Sequence, residues 1–261
     1  MYRFLLTRRW LALAVVAAVL AVVCARLGWW QLERLAERSD DNAVVEANLD
    51  ASPVPLQALV DVGAALPAGD EWRQVTMSGR YAPDNQVLVR YQSRNGLRGV
   101  DVVVPLLLRD ASAVLVDRGF LESPAGTPDL AEVPPPPPGR VTVTGWLRRD
   151  SDAPSEATTP IDSTVRAVSS VALADVMPDP LRGGWVQALE ESPTATGGAL
   201  AGPEPPETDS GPHLFYGLQW FFFGLLALVG YGWFAYDEAH PPARRPKEPS
   251  QRAQAVLTWP G

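Results

Sequence analysis

Only two histidines occur in the 261 residues, and one of them, His213, stands where an apolar stretch begins. Tyr216, Gln219 and Trp220 follow it within two helical turns. A neutral imidazole nitrogen is a ligand for haem iron or another metal, and a porphyrin needs an apolar, aromatic-lined slot around its iron. At helical spacing His213, Gly217, Trp220 and Gly224 share roughly one face, with Leu214, Tyr216 and Phe221 beside it. The same residues fit a plainer role in which His213 caps the helix and Phe221 to Phe223 meet lipid. On residue types alone both readings stand.

Other chemistry is sparse. There is no GxSxG elbow, no phosphate-cradling glycine loop and no HExxH, and no histidine precedes His213 to serve as a base in a triad. The acidic pairs Asp150 with Asp152 and Glu190 with Glu191 read as solvated loop surface. In Val116-Asp117-Arg118-Gly119-Phe120, adjacent opposite charges at a strand end predict a structural ion pair with the next loop. The single cysteine, Cys24, permits no intrachain disulfide and no CxxC metal site. These features point away from an enzyme. A net charge of −8 argues against a nucleic-acid partner.

The elements that must position His213 are two apolar segments. Leu214 to Tyr236 contains no charged residue; its roughly 23 helical residues would rise about 35 Å, enough to cross a bilayer. Trp10 to Trp30 follows Arg3, Arg8 and Arg9 and carries tryptophan at both ends, as in an aromatic belt. It resembles a signal peptide in its charged start. The chain nevertheless continues Arg26-Leu27-Gly28-Trp29-Trp30-Gln31 with no polar mature start, so an uncleaved anchor is the expectation. Ala14, Ala18, Ala21, Ala25 and Gly28 alternate spacings of four and three, with Gln31 extending the row. Such a seam allows a second helix or partner to approach closely, although an alanine-rich segment also yields it by chance. Arg244, Arg245, Lys247 and Arg252 follow the second segment, so the positive-inside rule puts both termini in the cytoplasm and the middle of the chain outside the cell membrane.

That middle is acidic, with 12 Arg against 25 Asp plus Glu between Ser39 and Pro212. Gln31 to Leu49 reads as helix continuing from the first span, followed by short strands. Trp72 to Tyr81 alternates with Val75, Met77, Gly79 and Tyr81 on one face; further strands are expected at Gln86–Tyr91, Val100–Leu108, Ala113–Phe120, Arg140–Leu147, Val165–Val171 and Gly184–Leu189. Asp84-Asn85 and Arg94-Asn95-Gly96 read as turns, and Pro134 to Pro138 as a stiff connector. The expected architecture is a membrane protein in which two transmembrane α-helices flank a mainly-β exported domain, a small antiparallel barrel or sandwich. Its parts are a cytoplasmic start at 1–9, a first span at 10–30, the exported domain with its leading helix at 31–191, a flexible Pro/Gly-rich tether at 192–212, a second span at 213–236 and a basic cytoplasmic tail at 237–261.

Four motifs in this order resemble the surfeit locus protein 1 family of cytochrome c oxidase assembly factors. They are Gly28-Trp29-Trp30-Gln31-Leu32-Glu33-Arg34-Leu35, Trp72 to Tyr81, Val114 to Phe120, and His213-Leu214-Phe215-Tyr216-Gly217-Leu218-Gln219-Trp220-Phe221. The resemblance spans roughly Gly28 to Tyr236. It implies a two-span protein that helps mature or insert haem a in the catalytic oxidase subunit. Some bacterial members are thought to hold haem a, with the histidine matching His213 as proposed iron ligand; Tyr216 and Trp220 would then pack on the macrocycle. The chain departs from the family in having Pro212 where asparagine is frequent, and in a longer insert before His213. Oxidase subunits, alone or in a respiratory supercomplex, are the partners implied, together with the bilayer. A haem-independent accessory subunit or scaffold is the second reading.

Overall fold

The computed structural model describes residues 2–195, 198 and 200–240. The basic tail on which the expected orientation rests, with Arg244, Arg245, Lys247 and Arg252, lies outside the described residues. Two compact units are present, Met1–Arg38 with Ser210–Gly261, and Ser39–Asp209. The first helix, α1 (Arg8–Asp50), contributes to both.

The first unit is built from α1 up to Arg38 and from α4 (His213–Ala239). Both are long and apolar enough to cross a membrane. Most of their large side chains, Val15, Val22, Phe222 and Phe234 among them, are exposed. Apart from Trp10, what lies buried on them is small: Ala17, Cys24 and Gly28 on α1, and Gly217, Gly224 and Ala235 on α4. Without bulky ridges the two backbones approach closely, which is how apolar helices gain contact where burial from water supplies no force.

The second unit is mainly β, eight strands in one sheet. In chain order the elements after α1 are β1 (Val54–Pro55), β2 (Gln74–Tyr81), β3 (Val87–Arg94), β4 (Leu97–Leu107), β5 (Ala113–Glu122), β6 (Val141–Arg148), α2 (Ser155–Thr158), β7 (Thr164–Val165), α3 (Ser170–Ala174) and β8 (Leu181–Ser192). Their order in the sheet is β1-β2-β6-β8-β5-β4-β3-β7. The pairing also returns on itself, because Arg80 and Tyr81 of β2 face Leu107 and Leu106 of β4. Gly79 sits beside that closure; a Cβ there would lie 2.4 Å from the Leu107 carbonyl oxygen, so only glycine lets the strands meet.

Period-two alternation sorts side chains into two cores. Val75, Met77 and Tyr81 of β2, Val102, Val104 and Leu106 of β4, and Val114 and Val116 of β5 form the larger one. Val103 of β4, Ala113 and Leu115 of β5, and Leu173 of α3 form the smaller one on the opposite face. Thus β4 and β5 are covered on both faces, and their sequences read as near-continuous Val/Leu runs for that reason. The β3–β4 hairpin turns through Asn95 and Gly96, both at positive φ (51° and 79°), as a two-residue turn requires.

Two expectations about this domain need correction. The sheet is mixed rather than antiparallel: β5 and β8 run parallel, as do β1 with β2 and β3 with β7. The long excursion through 123–180 carries the chain back to the end of the sheet where β5 began, and a parallel pair needs such a crossover. The strand expected over Val165–Val171 is only a two-residue bridge, after which the chain turns into α3. There the Ser169 side chain accepts a hydrogen bond from the Ala172 N–H, a helix cap that overrides the β-branched residues around it. Within the expected tether, Ala201 is bridged to Phe120 of β5, and the Arg94 guanidinium donates to the carbonyls of Ala201 and Gly202, so this part is held against the sheet.

Candidate functional site

α1 and α4 run antiparallel, and contacts along their length fix the rotation of each. At one end the rings of Trp10 and Tyr231 meet edge to face at 5.7 Å. In the middle, a Cβ built on Gly224 would lie 3.2 Å from Cys24 Cβ and 3.4 Å from the Ala21 carbonyl oxygen. Further along, the Phe221 ring covers Gly28 so closely that a Cβ there would come within 2.9 Å of it. Gly217 faces the Gly28 carbonyl and Gln31. At the far end His213 meets Gln31.

The seam on α1 is therefore a heptad row, but its phase differs from the expected one. Ala21, Gly28 and Gln31 face α4 and Ala14 is half-buried, whereas Ala18 and Ala25 are exposed; Ala17 and Cys24 stand in their place. In an alanine-rich helix two rows of small residues satisfy the same spacing rule. The Trp10–Tyr231 and Gln31–His213 contacts select one of them, and only the partner helix supplies that information.

His213 is half-buried at the first position of α4. The N-cap residue, Pro212, makes no side-chain cap bond. Its Nδ1 lies 2.9 Å from Gln31 Oε1. An amide oxygen only accepts, so Nδ1 donates this bond, and in the neutral ring Nε2 is then the nitrogen with a lone pair to offer. A hydrogen bond of this kind fixes both tautomer and ring angle in metal-binding histidines. On the Nε2 side stands Gly211 at φ 64°; a Cβ there would lie 3.6 Å from Nε2 and 3.4 Å from Cδ2. The Arg38 Nε lies 3.9 Å from that same point, so a guanidinium stands on this side of the ring. Trp220 is half-buried and packs on Phe223 at 6.1 Å, while Tyr216 is exposed. Among the described residues no group of three or more His, Cys, Asp or Glu could cage a bare metal ion. The second histidine, His240, stacks on Tyr236 at 4.3 Å, with Nδ1 3.0 Å from the Tyr236 carbonyl.

The sheet domain holds a second concentration of unusual groups. Asp117 is buried, and Oδ1 accepts from the Gly119 N–H at 2.9 Å. Burial pushes its carboxyl up to about 7, the nearby Asp101 adds in the same direction, and the Gly119 N–H and Arg94 oppose. Asp101 is itself raised by burial, with Arg94 holding it back from 2.9 Å. Both carboxyls line a cleft of about 420 Å³ together with Arg148 and Trp185. Arg118 does not pair with Asp117, although it donates to the Pro134 carbonyl of the following loop at 3.0 Å. It bonds Glu191 of β8 at 3.1 Å, and the Tyr81 hydroxyl donates to the same carboxylate oxygen at 2.5 Å. Burial, with the Glu191 charge adding to it, raises the Tyr81 hydroxyl well above the usual phenol range, so it remains a donor. Asp150 likewise is no solvated loop acid, since it accepts from both the N–H and the hydroxyl of Ser170. The available signal was the unbroken apolar run Val114-Leu115-Val116, which marks a strand covered on both faces and therefore buries the next two residues as well.

A family model described as the SURF1 family matches residues 18–225. SURF1-like proteins of Mycobacterium tuberculosis and Mycobacterium bovis are 35% identical over 240 residues, which cover 90% of this chain and 86% of theirs. More distantly, the cytochrome oxidase assembly protein SHY1 of Saccharomyces cerevisiae is 26% identical over 109 residues, 41% of this chain and 28% of that protein. Matched over most of its length, the chain belongs to the SURF1 family.

Proposed function

We propose that this protein is a membrane-anchored assembly factor for cytochrome c oxidase that presents haem a to the catalytic subunit through His213. The observation that carries this reading is the 2.9 Å contact between His213 Nδ1 and Gln31 Oε1, which aims the ring and offers Nε2 as the ligand nitrogen. Membership of the SURF1 family and the distant likeness to a yeast oxidase assembly protein support the wider role. α1 and α4 serve as the two spans, with the sheet domain on the outer face of the cell membrane and the termini in the cytoplasm. The ring of strand pairings from β2 through β6, β8, β5 and β4 reads as a small barrel of mixed strand direction.

Bound haem a would supply an iron for His213 to ligate and a broad apolar surface for the neighbouring rings. His213 would hold the iron, Gln31 would fix the ring through Nδ1, and Gly211 adds no side chain beside Nε2. Tyr216 and Trp220 offer ring faces one turn and two turns along the same helix. The chain performs no covalent step. It binds, orients and releases, which needs an affinity below that of the final oxidase site.

The test is genetic and spectroscopic. A strain lacking the gene is expected to assemble oxidase with less haem a per catalytic subunit, restored by the wild-type gene and not by His213→Ala. Full restoration by His213→Ala, together with co-purification of the protein with oxidase, would favour the accessory-subunit reading. The exposed apolar side chains of α1 and α4 would then be its docking face.

A further inference from the structure

The sheet domain carries a recess that runs against its overall charge. Between Val89 and Gln92 of β3 the ladder to β4 slips, so Arg90 and Tyr91 together stand opposite Val100. Bulges of this kind re-aim side chains and cluster beside functional sites. Tyr91 takes φ 64°, a conformation that bulky residues rarely adopt, and is 77% exposed. The Arg90 guanidinium packs 5.3 Å from its ring centroid. The Nε of Arg90 is buried yet has no hydrogen-bond partner among the described residues. A buried guanidinium nitrogen without an acceptor is costly, and such a group in a folded protein calls for an explanation.

Arg90 opens into a recess of about 620 Å³, within the range of small-molecule sites. Arg98 of β4 lines the same recess, as do Ser93 and Thr127, and no carboxylate does. That exclusion is informative in a domain with about twice as many acidic as basic residues. Asp129 and Asp162 lie with Arg90 around a neighbouring recess, but neither forms an ion pair with it. Two guanidinium groups, the hydroxyls of Ser93 and Thr127 and the Gly96 N–H make a donor set suited to a tetrahedral oxyanion with several acceptors.

We propose that this recess is a binding site for a phosphate-type oxyanion, either free or as the head group of an anionic lipid. Arg90, half-buried, and Arg98, exposed, provide the two cationic contacts. The site is independent of His213 and of the haem reading.

The test is titration calorimetry of the full-length protein in dodecyl maltoside at low ionic strength, with inorganic phosphate as the probe and chloride as the control. The expected result is saturable phosphate binding, weakened tenfold or more in Arg90→Gln, severalfold in Arg98→Gln, and unchanged in Arg140→Gln, an exposed arginine outside the recess. Arg90→Lys, which keeps the charge and loses the Nε donor, should also bind more weakly. Circular dichroism and unfolding temperature without phosphate establish that each variant is folded, and Arg98→Gln carries the test if Arg90→Gln does not fold. Displacement of phosphate by dihexanoyl phosphatidylglycerol identifies the lipid head group as the source; failure to displace identifies the free anion. Absence of phosphate binding to wild type, or equal binding in folded Arg90 and Arg98 variants, overturns the proposal.

Discussion

The Nδ1 of His213 lies 2.9 Å from Oε1 of Gln31, a residue 182 positions earlier on the other helix of its unit. The contact makes Gln31 the residue that sets the tautomer of His213. Replacing Gln31 with Leu is therefore expected to lower haem retention by about 10- to 100-fold, the usual range for a lost second partner of a ligating histidine. Gln31→Glu, which still accepts from Nδ1, should retain most of it. The haem-to-protein ratio after detergent purification reads the difference, and equal retention in Gln31→Leu would show that the contact is incidental.

Cys24 is the only cysteine, and its Cβ faces Gly224 at 3.2 Å from where a Cβ would stand. Disulfides span Cβ separations of about 3.5–4.5 Å, reachable here with a small shift. Gly224→Cys is expected to cross-link to Cys24 when membranes are oxidised, whereas Gly230→Cys, which has nothing within 4 Å, should not. Protease nicking of the sheet domain followed by non-reducing electrophoresis detects the bond. Cross-linking of Gly230→Cys in preference to Gly224→Cys would mean that α4 is rotated from the orientation described.

Asp117 makes stability depend on pH in an identifiable direction. Its carboxyl is raised from 3.8 to about 7 on folding, so between those values the unfolded chain has released a proton that the folded chain keeps. Stability therefore falls as pH rises from about 4 to about 7 and levels off above that. Asp117→Asn should flatten this slope and raise the unfolding temperature at pH 8 above that of wild type. Denaturation curves at pH 5 and pH 8 decide it; an unchanged slope would place the dependence on other groups.

Arg118 and Glu191 have side chains only 3% and 14% exposed. Removing one partner leaves a buried charge alone, at a cost of about 3–5 kcal/mol. Glu191→Ala, which also strips the acceptor from Tyr81, should fall at the upper end of that range in chemical denaturation. The double variant Glu191→Ala with Arg118→Met should recover part of the loss. A single variant as stable as wild type would show that water reaches the site.

The sequence carried the outline of this molecule well and its polar interior poorly. Alternation in Val75, Met77, Gly79 and Tyr81 placed β2 correctly because one face of that strand is buried. It failed at Asp117 and Arg118, since a strand covered on both faces has no solvent side on which to leave a charge. The Val165–Val171 segment misled because β-branched residues favour strands while a single Ser169 cap decides the local outcome. On α1 the spacing of small residues was legible but its phase was not, because Ala17 and Ala18 look alike until Trp10 meets Tyr231. His213 stood out by rarity and position; its link to Gln31 is a long-range contact that periodicity does not encode.

The most direct measurement of haem binding through His213 is the visible absorption spectrum of the protein purified from cells that make haem a. Wild type is expected to show a Soret band of bound haem a, and folded His213→Ala to lose it. A wild-type protein that emerges colourless from such cells, or a His213→Ala protein with an unchanged band, would contradict it.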